Sequence, residues 1–170
     1  CDASFAGKAQ RLIPGGGATQ RLPQVIGPES ALRLMMLGET WAIADPRLRG
    51  LTDAVVSGDA DLAAVKLARK PKPCAPQSAP DAAAFADALA RARARLLRPT
   101  PAQSDIIACV EAAQLLPLPQ GLAFETARFA ERSRDRASRL LRHAATIKAA
   151  AATHAGSARV VNKVVVMGRS

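Results

Sequence analysis

Tyrosine is absent from this 170-residue chain, tryptophan occurs once at Trp41, and aromatic residues reach only 3%. A core made from it must be aliphatic. Hydrophobic residues make up 49% of the chain, enough for one ordinary domain or two small pieces. Alanine, the strongest helix former, is abundant, which favours helices. Cysteine is scarce and odd in number: Cys1, Cys74 and Cys109 stand far apart. They fit neither a disulfide framework nor a zinc site, so free thiols in a reducing cytoplasm and no bound metal are expected. No run of 18 apolar residues occurs, so no membrane span is expected. The opening "CDASFAGKAQ" has no apolar stretch of the kind a secretory signal carries.

Acidic residues are in deficit, and the net charge is +10. Residues 1–80 hold 10 Lys+Arg and 7 Asp+Glu (+3), residues 81–148 hold 11 and 7 (+4), and residues 149–170 add Arg159, Lys163 and Arg169 (+3). The excess is spread, with no block of five or six like charges. A nucleic-acid footprint would be a patch or stripe, so no nucleic-acid partner is expected. An anionic small ligand is equally compatible with the charge.

What is present begins with "IPGGGATQRLPQVIG", Ile13 to Gly27. Three glycines follow a proline and lead into helically spaced apolar and basic residues. The stretch lacks the Lys-Ser/Thr pair of a phosphate-binding P-loop. Pro28 then suits a first helical turn, and "ESALRLMMLGE" sets Ala31, Leu34, Met35 and Gly38 on one stripe, with Leu32 and Met36 beside it. The spacing predicts a helix of about ten residues ending near Gly38. "AIADPRLRG" is helix-like but broken at Pro46, "LTDAVV" reads as a short strand, and "DLAAVKLARK" as a short helix.

"PKPCAPQSAP", Pro71 to Pro80, holds four prolines and reads as an extended linker. Asp81 is positioned to cap the next helix, on which Phe85, Ala88, Leu89, Ala92 and Leu96 share a face. Pro99 and Pro101 end it. A helix from Gln103 to Leu116 sets Ile106, Val110 and Ala113 on one side, and Pro117 and Pro119 stop it. "GLAFETARFAERSRD" and "RASRLLRHAATIKAAAA" are further helices; the second carries the stripe Ala137, Leu140, Leu141 and Ala144. "ARVVNKVVVMG" reads as a buried-type strand.

"IPGGGATQRLPQVIGPESALRLMMLGE" followed by "ADPRLRGLTDAVV" resembles the crotonase superfamily of enoyl-CoA hydratases and isomerases. "PTPAQSDIIACVEAAQLLPLPQGLAFETARFAERS" resembles the helical linker of multifunctional fatty-acid β-oxidation proteins, and "NKVVVMG" resembles the first strand of the NAD-binding half of 3-hydroxyacyl-CoA dehydrogenase. The three matches stand in the order such fusion proteins use.

The resemblance implies a fold that is mainly α with a minor α/β part. Residues 1–70 would be the C-terminal part of a crotonase-like domain and 71–80 a proline-rich linker. Residues 81–155 would be the helical linker bundle, and 156–170 the start of a truncated NAD-binding Rossmann domain. It also implies a lyase and an oxidoreductase acting on an acyl-CoA thioester, with NAD as cofactor in the full-length family. Two backbone N–H groups polarise the thioester oxygen, and two glutamates handle the water as general base and acid. By this likeness Gly15 matches the glycine whose N–H holds the reacting water; Gly16, Gly17 and Thr19 adjoin the substrate, and Thr19 is placed to cap the following turn. Gly168 would open the dinucleotide site, but Arg169 and Ser170 depart from its glycine pattern.

The family's second glutamate lies seven residues before the loop proline, where this chain has Gly7, and no Glu precedes Glu29. The expectation is therefore a fragment, inactive alone and marginally stable, that binds no cofactor itself and exposes apolar surface for homo-oligomer formation. Glu111 and Glu125 match the linker pattern and are expected at helix surfaces or in salt bridges. His143 and His154 are expected to face solvent. The alternative is a non-catalytic helical protein-interaction module.

Overall fold

A computed structural model describes residues 2–4, 11–52, 55, 60–68 and 81–154. The chain runs β1 (Asp2–Ala3), α1 (Ala18–Ile26), α2 (Pro28–Leu37), β2 (Trp41–Ala42), a 3-10 turn (Pro46–Leu48), α3 (Ala60–Ala68), α4 (Ala82–Ala94), α5 (Pro101–Leu115), α6 (Leu118–Arg134) and α7 (Arg136–His154). It is mainly α. The β content among the described residues is one antiparallel pair, Asp2 opposite Ala42 and Ala3 opposite Trp41.

The glycine-rich loop ends in α1, and α2 follows with Pro28 in its first turn, where a missing N–H leaves no helical bond unmade. Gly38 closes α2 in the left-handed region (φ +59°), as the sequence suggests. Asp81 caps α4 by accepting the Ala83 N–H at 3.2 Å. Thr100 caps α5: its hydroxyl accepts the Gln103 N–H at 3.3 Å, and the Gln103 side chain accepts the Thr100 N–H at 2.9 Å.

Helix α5 is the hub, packing on α1, α2, α4 and α6. Its Ile106, Ile107, Cys109 and Val110 join Leu22, Leu32, Leu34, Met35, Phe85 and Leu89 in one core. Helices on both sides of the proline-rich stretch thus bury their apolar faces together.

Several local expectations are corrected. "AIADPRLRG" is no helix: β2 leads through a turn to the 3-10 segment, whose start Asp45 caps by accepting the Arg47 N–H. Pro46 and the two arginines leave Leu48 as the buried apolar side chain of that segment, too little to anchor a longer helix. Pro101 begins α5 instead of ending α4, and Pro119 sits in the first turn of α6, since a proline is harmless there. The α7 stripe is not buried: Leu140 is 59% and Leu141 37% exposed. Half of "LTDAVV" (Asp53, Ala54 and Val56), the Pro71–Pro80 stretch and "ARVVNKVVVMG" lie outside the described residues, and the described Leu51, Thr52 and Val55 are not in a strand.

Candidate functional site

The loop from Leu12 to Gly17 turns into α1 through two left-handed glycines, Gly16 (φ +70°) and Gly17 (φ +82°). L side chains rarely adopt that conformation, which accounts for glycine at these two places. Gly17 is also crowded: a Cβ there would lie 2.8 Å from Leu122 Cδ2. A Cβ added at Gly15 would lie 3.5 Å from the Phe129 ring, an ordinary contact distance.

Those neighbours all come from α6. On a helix, residues four apart share a face, so Gly121, Glu125 and Phe129 form one row along α6, with Leu122 beside it. Gly121 is the point of closest approach, because a Cβ there would overlap the buried Gln20 side chain. One turn later, Glu125 reaches the loop. Its Oε1 accepts the Gly17 N–H at 2.7 Å, and its Oε2 accepts the Thr19 N–H at 2.9 Å and the Thr19 hydroxyl.

Gln20 completes the clamp. Its Nε2 donates to Thr19 Oγ1 at 2.9 Å and to the Cys109 carbonyl at 2.8 Å. Thr19, Gln20 and Glu125 are all at most 3% exposed. Burying a carboxylate costs several kcal/mol unless its oxygens are satisfied. Here three donors meet it, and the positive end of α1 faces it.

This corrects two expectations. Glu125 is no surface residue, and among the described residues it has no salt-bridge partner; its donors there are uncharged, at 2.7 and 2.9 Å for the two amides. Thr19 is not a cap, because Gly17 holds the N-cap position and the Thr19 hydroxyl donates to Glu125 instead. The spacing Gly121-x-x-x-Glu125, a small residue one turn before an acid, was the signal available in the sequence. Glu111 meets its expectation, pairing with Arg93 at 2.7 Å.

Below the clamp, burial and the nearby Glu125 charge push the Cys109 thiol up to about 12, leaving it a neutral core side chain. Burial likewise raises the Asp105 carboxyl, against the pull of Arg132 and Arg128. Arg132 Nε lies 2.9 Å from Asp105 Oδ2. Beside Gln20 a cleft of about 310 Å³ opens, lined by Gln20, Arg21, Gln24, Ala113, Leu116 and Leu118. Among the described residues, no three His, Cys, Asp or Glu side chains gather as a metal site would need. No helix described is long and apolar enough to cross a membrane. His143 is exposed, and Gly168 lies outside the described residues.

The loop sequence and the acid that holds it therefore come from segments about a hundred residues apart in the chain. No protein-family model matches the chain. Curated relatives do. The fatty acid oxidation complex subunit alpha of Shewanella frigidimarina is 33% identical over 175 aligned positions, which take in 92% of this chain and 25% of that protein. The subunit of the same name from Shewanella loihica is 30% identical over the same shares. The chain is thus similar along nearly its whole length to alpha subunits of fatty acid oxidation complexes, and it spans about a quarter of the length of those relatives.

Proposed function

We propose that this chain is the part of a multifunctional β-oxidation enzyme that carries the thioester-handling glycine loop and the helices that hold it. The observation that carries the reading is the match to alpha subunits across 92% of the chain, both halves of the clamp included in one aligned length. The enzyme as a whole would hydrate a 2-enoyl-CoA and oxidise the 3-hydroxyacyl-CoA with NAD. The family resemblance supplies those two reactions. Within the chain, Gly15 and Gly16 are the exposed, substrate-side part of the loop, whereas Gly17 and Thr19 belong to the same loop but turn inward onto Glu125. The domain plan is proposed as before: 1–70 crotonase-like, 71–80 linker, 81–155 helical, 156–170 leading into the NAD-binding part, whose Gly168 would meet the dinucleotide.

Hydration needs a carboxylate free to move a proton at the loop. Glu125 is the acid in contact with it, and both its oxygens are occupied by loop donors. The purified chain is therefore expected to show no hydration of crotonyl-CoA and no NAD reduction with 3-hydroxybutyryl-CoA, while crotonyl-CoA perturbs the loop. Turnover at enzyme-like rates would contradict the first statement; crotonyl-CoA without effect on residues 15–19 would contradict the second.

A second reading, a non-catalytic interaction module, draws on α7, where Leu140, Leu141 and Ile147 are 59%, 37% and 55% exposed. It predicts a stable homo-oligomer, seen by size-exclusion chromatography with light scattering, and indifference to CoA esters.

A further inference from the structure

The loop amides divide into two sets. Gly17 and Thr19 donate inward to Glu125. Ala18 donates to the Gly15 carbonyl at 3.4 Å, and Gln20 and Arg21 donate to the Gly17 carbonyl. The N–H groups of Gly15 and Gly16 have no partner among the described residues, and both glycines are exposed. Around Gly16 the space is open: a Cβ would meet nothing within 4 Å.

A glycine loop opening a helix is ordinarily a place where an outside anion settles on the inward amides. Here the protein's own carboxylate already holds that place. Two consequences follow. A phosphate group cannot use Gly17 and Thr19. And the loop, pinned at those two residues, is held with Gly15 and Gly16 outward, beside the half-exposed ring of Phe129 (37%).

We propose that Glu125 is a positioning residue for the ligand site: its carboxylate takes the inward amides, so that the Gly15 and Gly16 N–H groups are left to meet the oxygen of an acyl thioester or of a water beside it. Phe129, one helical turn further along α6, supplies the apolar wall. The inference rests on the reading that a thioester comes to this loop. It adds that the site is built by α6 as well as by the loop itself.

Amide exchange and ligand titration on the ¹⁵N-labelled complete chain test it, with crotonyl-CoA as the probe and free CoA as the control. In the native chain, Gly17 and Thr19 are expected to exchange slowly and Gly15 and Gly16 fast, and crotonyl-CoA is expected to shift the Gly15 and Gly16 resonances. In Glu125→Gln, the amide nitrogen cannot accept, so one inward set loses its acceptor. Protection at whichever of Gly17 and Thr19 loses its acceptor, and affinity for crotonyl-CoA, should each fall about tenfold or more, the factor expected from one lost charge-assisted hydrogen bond. Exchange along α4 should stay as in the native chain. A Glu125→Gln chain that folds and binds crotonyl-CoA like the native one overturns the proposal. If that variant does not fold, the native exchange pattern decides: uniform exchange from Gly15 to Thr19 overturns it, and the split pattern supports it. A native chain that shows the split pattern yet gives no shift with crotonyl-CoA overturns the thioester reading, and with it the ligand role of Glu125. Loss of the split pattern with ligand shifts intact overturns the role of Glu125 alone.

Discussion

Glu125 shows how one side chain can outrank its surroundings. It sits on a helix rich in charged residues, Arg128, Glu131, Arg132 and Arg134 among them, and pattern alone places it with those at the surface. The glycines around it have opposite costs from what helix propensity implies. Alanine at an exposed helical glycine ordinarily stabilises by about 1 kcal/mol. Gly121→Ala should instead destabilise, by about 1–3 kcal/mol, because the new methyl enters the volume of Gln20. Gly17→Ala should cost a similar amount, since it adds left-handed strain to a contact with Leu122. Urea unfolding followed by circular dichroism checks both; a stabilised Gly121→Ala contradicts the close approach. Cys109 gives a third test. With its thiol held neutral up to about 12, it should resist iodoacetamide at pH 8 in the native chain and react once the chain is denatured, as read by peptide mapping. The raised thiol favours the fold below its ordinary value of 9.0, and that contribution fades as pH rises towards about 12.

At the scale of elements, the helices most readable in the sequence were those with a cap and a single apolar face. Residues in α2 and α4 met both conditions, and their buried residues are the ones periodicity names: Ala31, Leu34 and Met35, then Phe85, Ala88, Leu89 and Ala92. Prolines were read as stops where they are starts, because a proline between two helices is consistent with either role until packing decides. The β2 turn was opaque for another reason, since contacts between polar and aromatic side chains, with no apolar periodicity, hold it together. The Arg47 guanidinium stacks 3.9 Å from the Trp41 ring centroid, and Glu39 accepts the indole N–H at 2.7 Å. Burial acts to raise the Glu39 carboxyl, but hydrogen bonds from Arg33 and Trp41 and the charges of Arg33 and Arg47 outweigh it and hold it below 4.5. A lowered carboxyl stabilises the fold above its unfolded value and loses that contribution as pH falls. Trp41 emission should therefore change as the pH drops through the carboxylate range, before the helical signal is lost. Simultaneous loss of both signals would contradict this.

The whole molecule is organised around α5 and the clamp, so its two sequence regions depend on each other. Composition made the mainly helical character legible, and the glycine loop and the "GLAFE" stretch pointed separately to one family. What no local pattern could show is that these two stretches touch. A contact spanning 108 residues leaves no periodicity in either partner. Its trace, a glycine one turn before a glutamate, gains meaning only once Gln20 is seen against that glycine. The central claim is that α6 holds the glycine loop through Glu125. A double-mutant cycle measures it most directly, with Thr19→Val, Glu125→Gln and the double variant compared by urea unfolding of the complete chain. The predicted coupling energy is about 1–3 kcal/mol, the range for neighbours sharing a charge-assisted hydrogen bond. Additive losses, within about 0.5 kcal/mol as for distant sites, would contradict the claim.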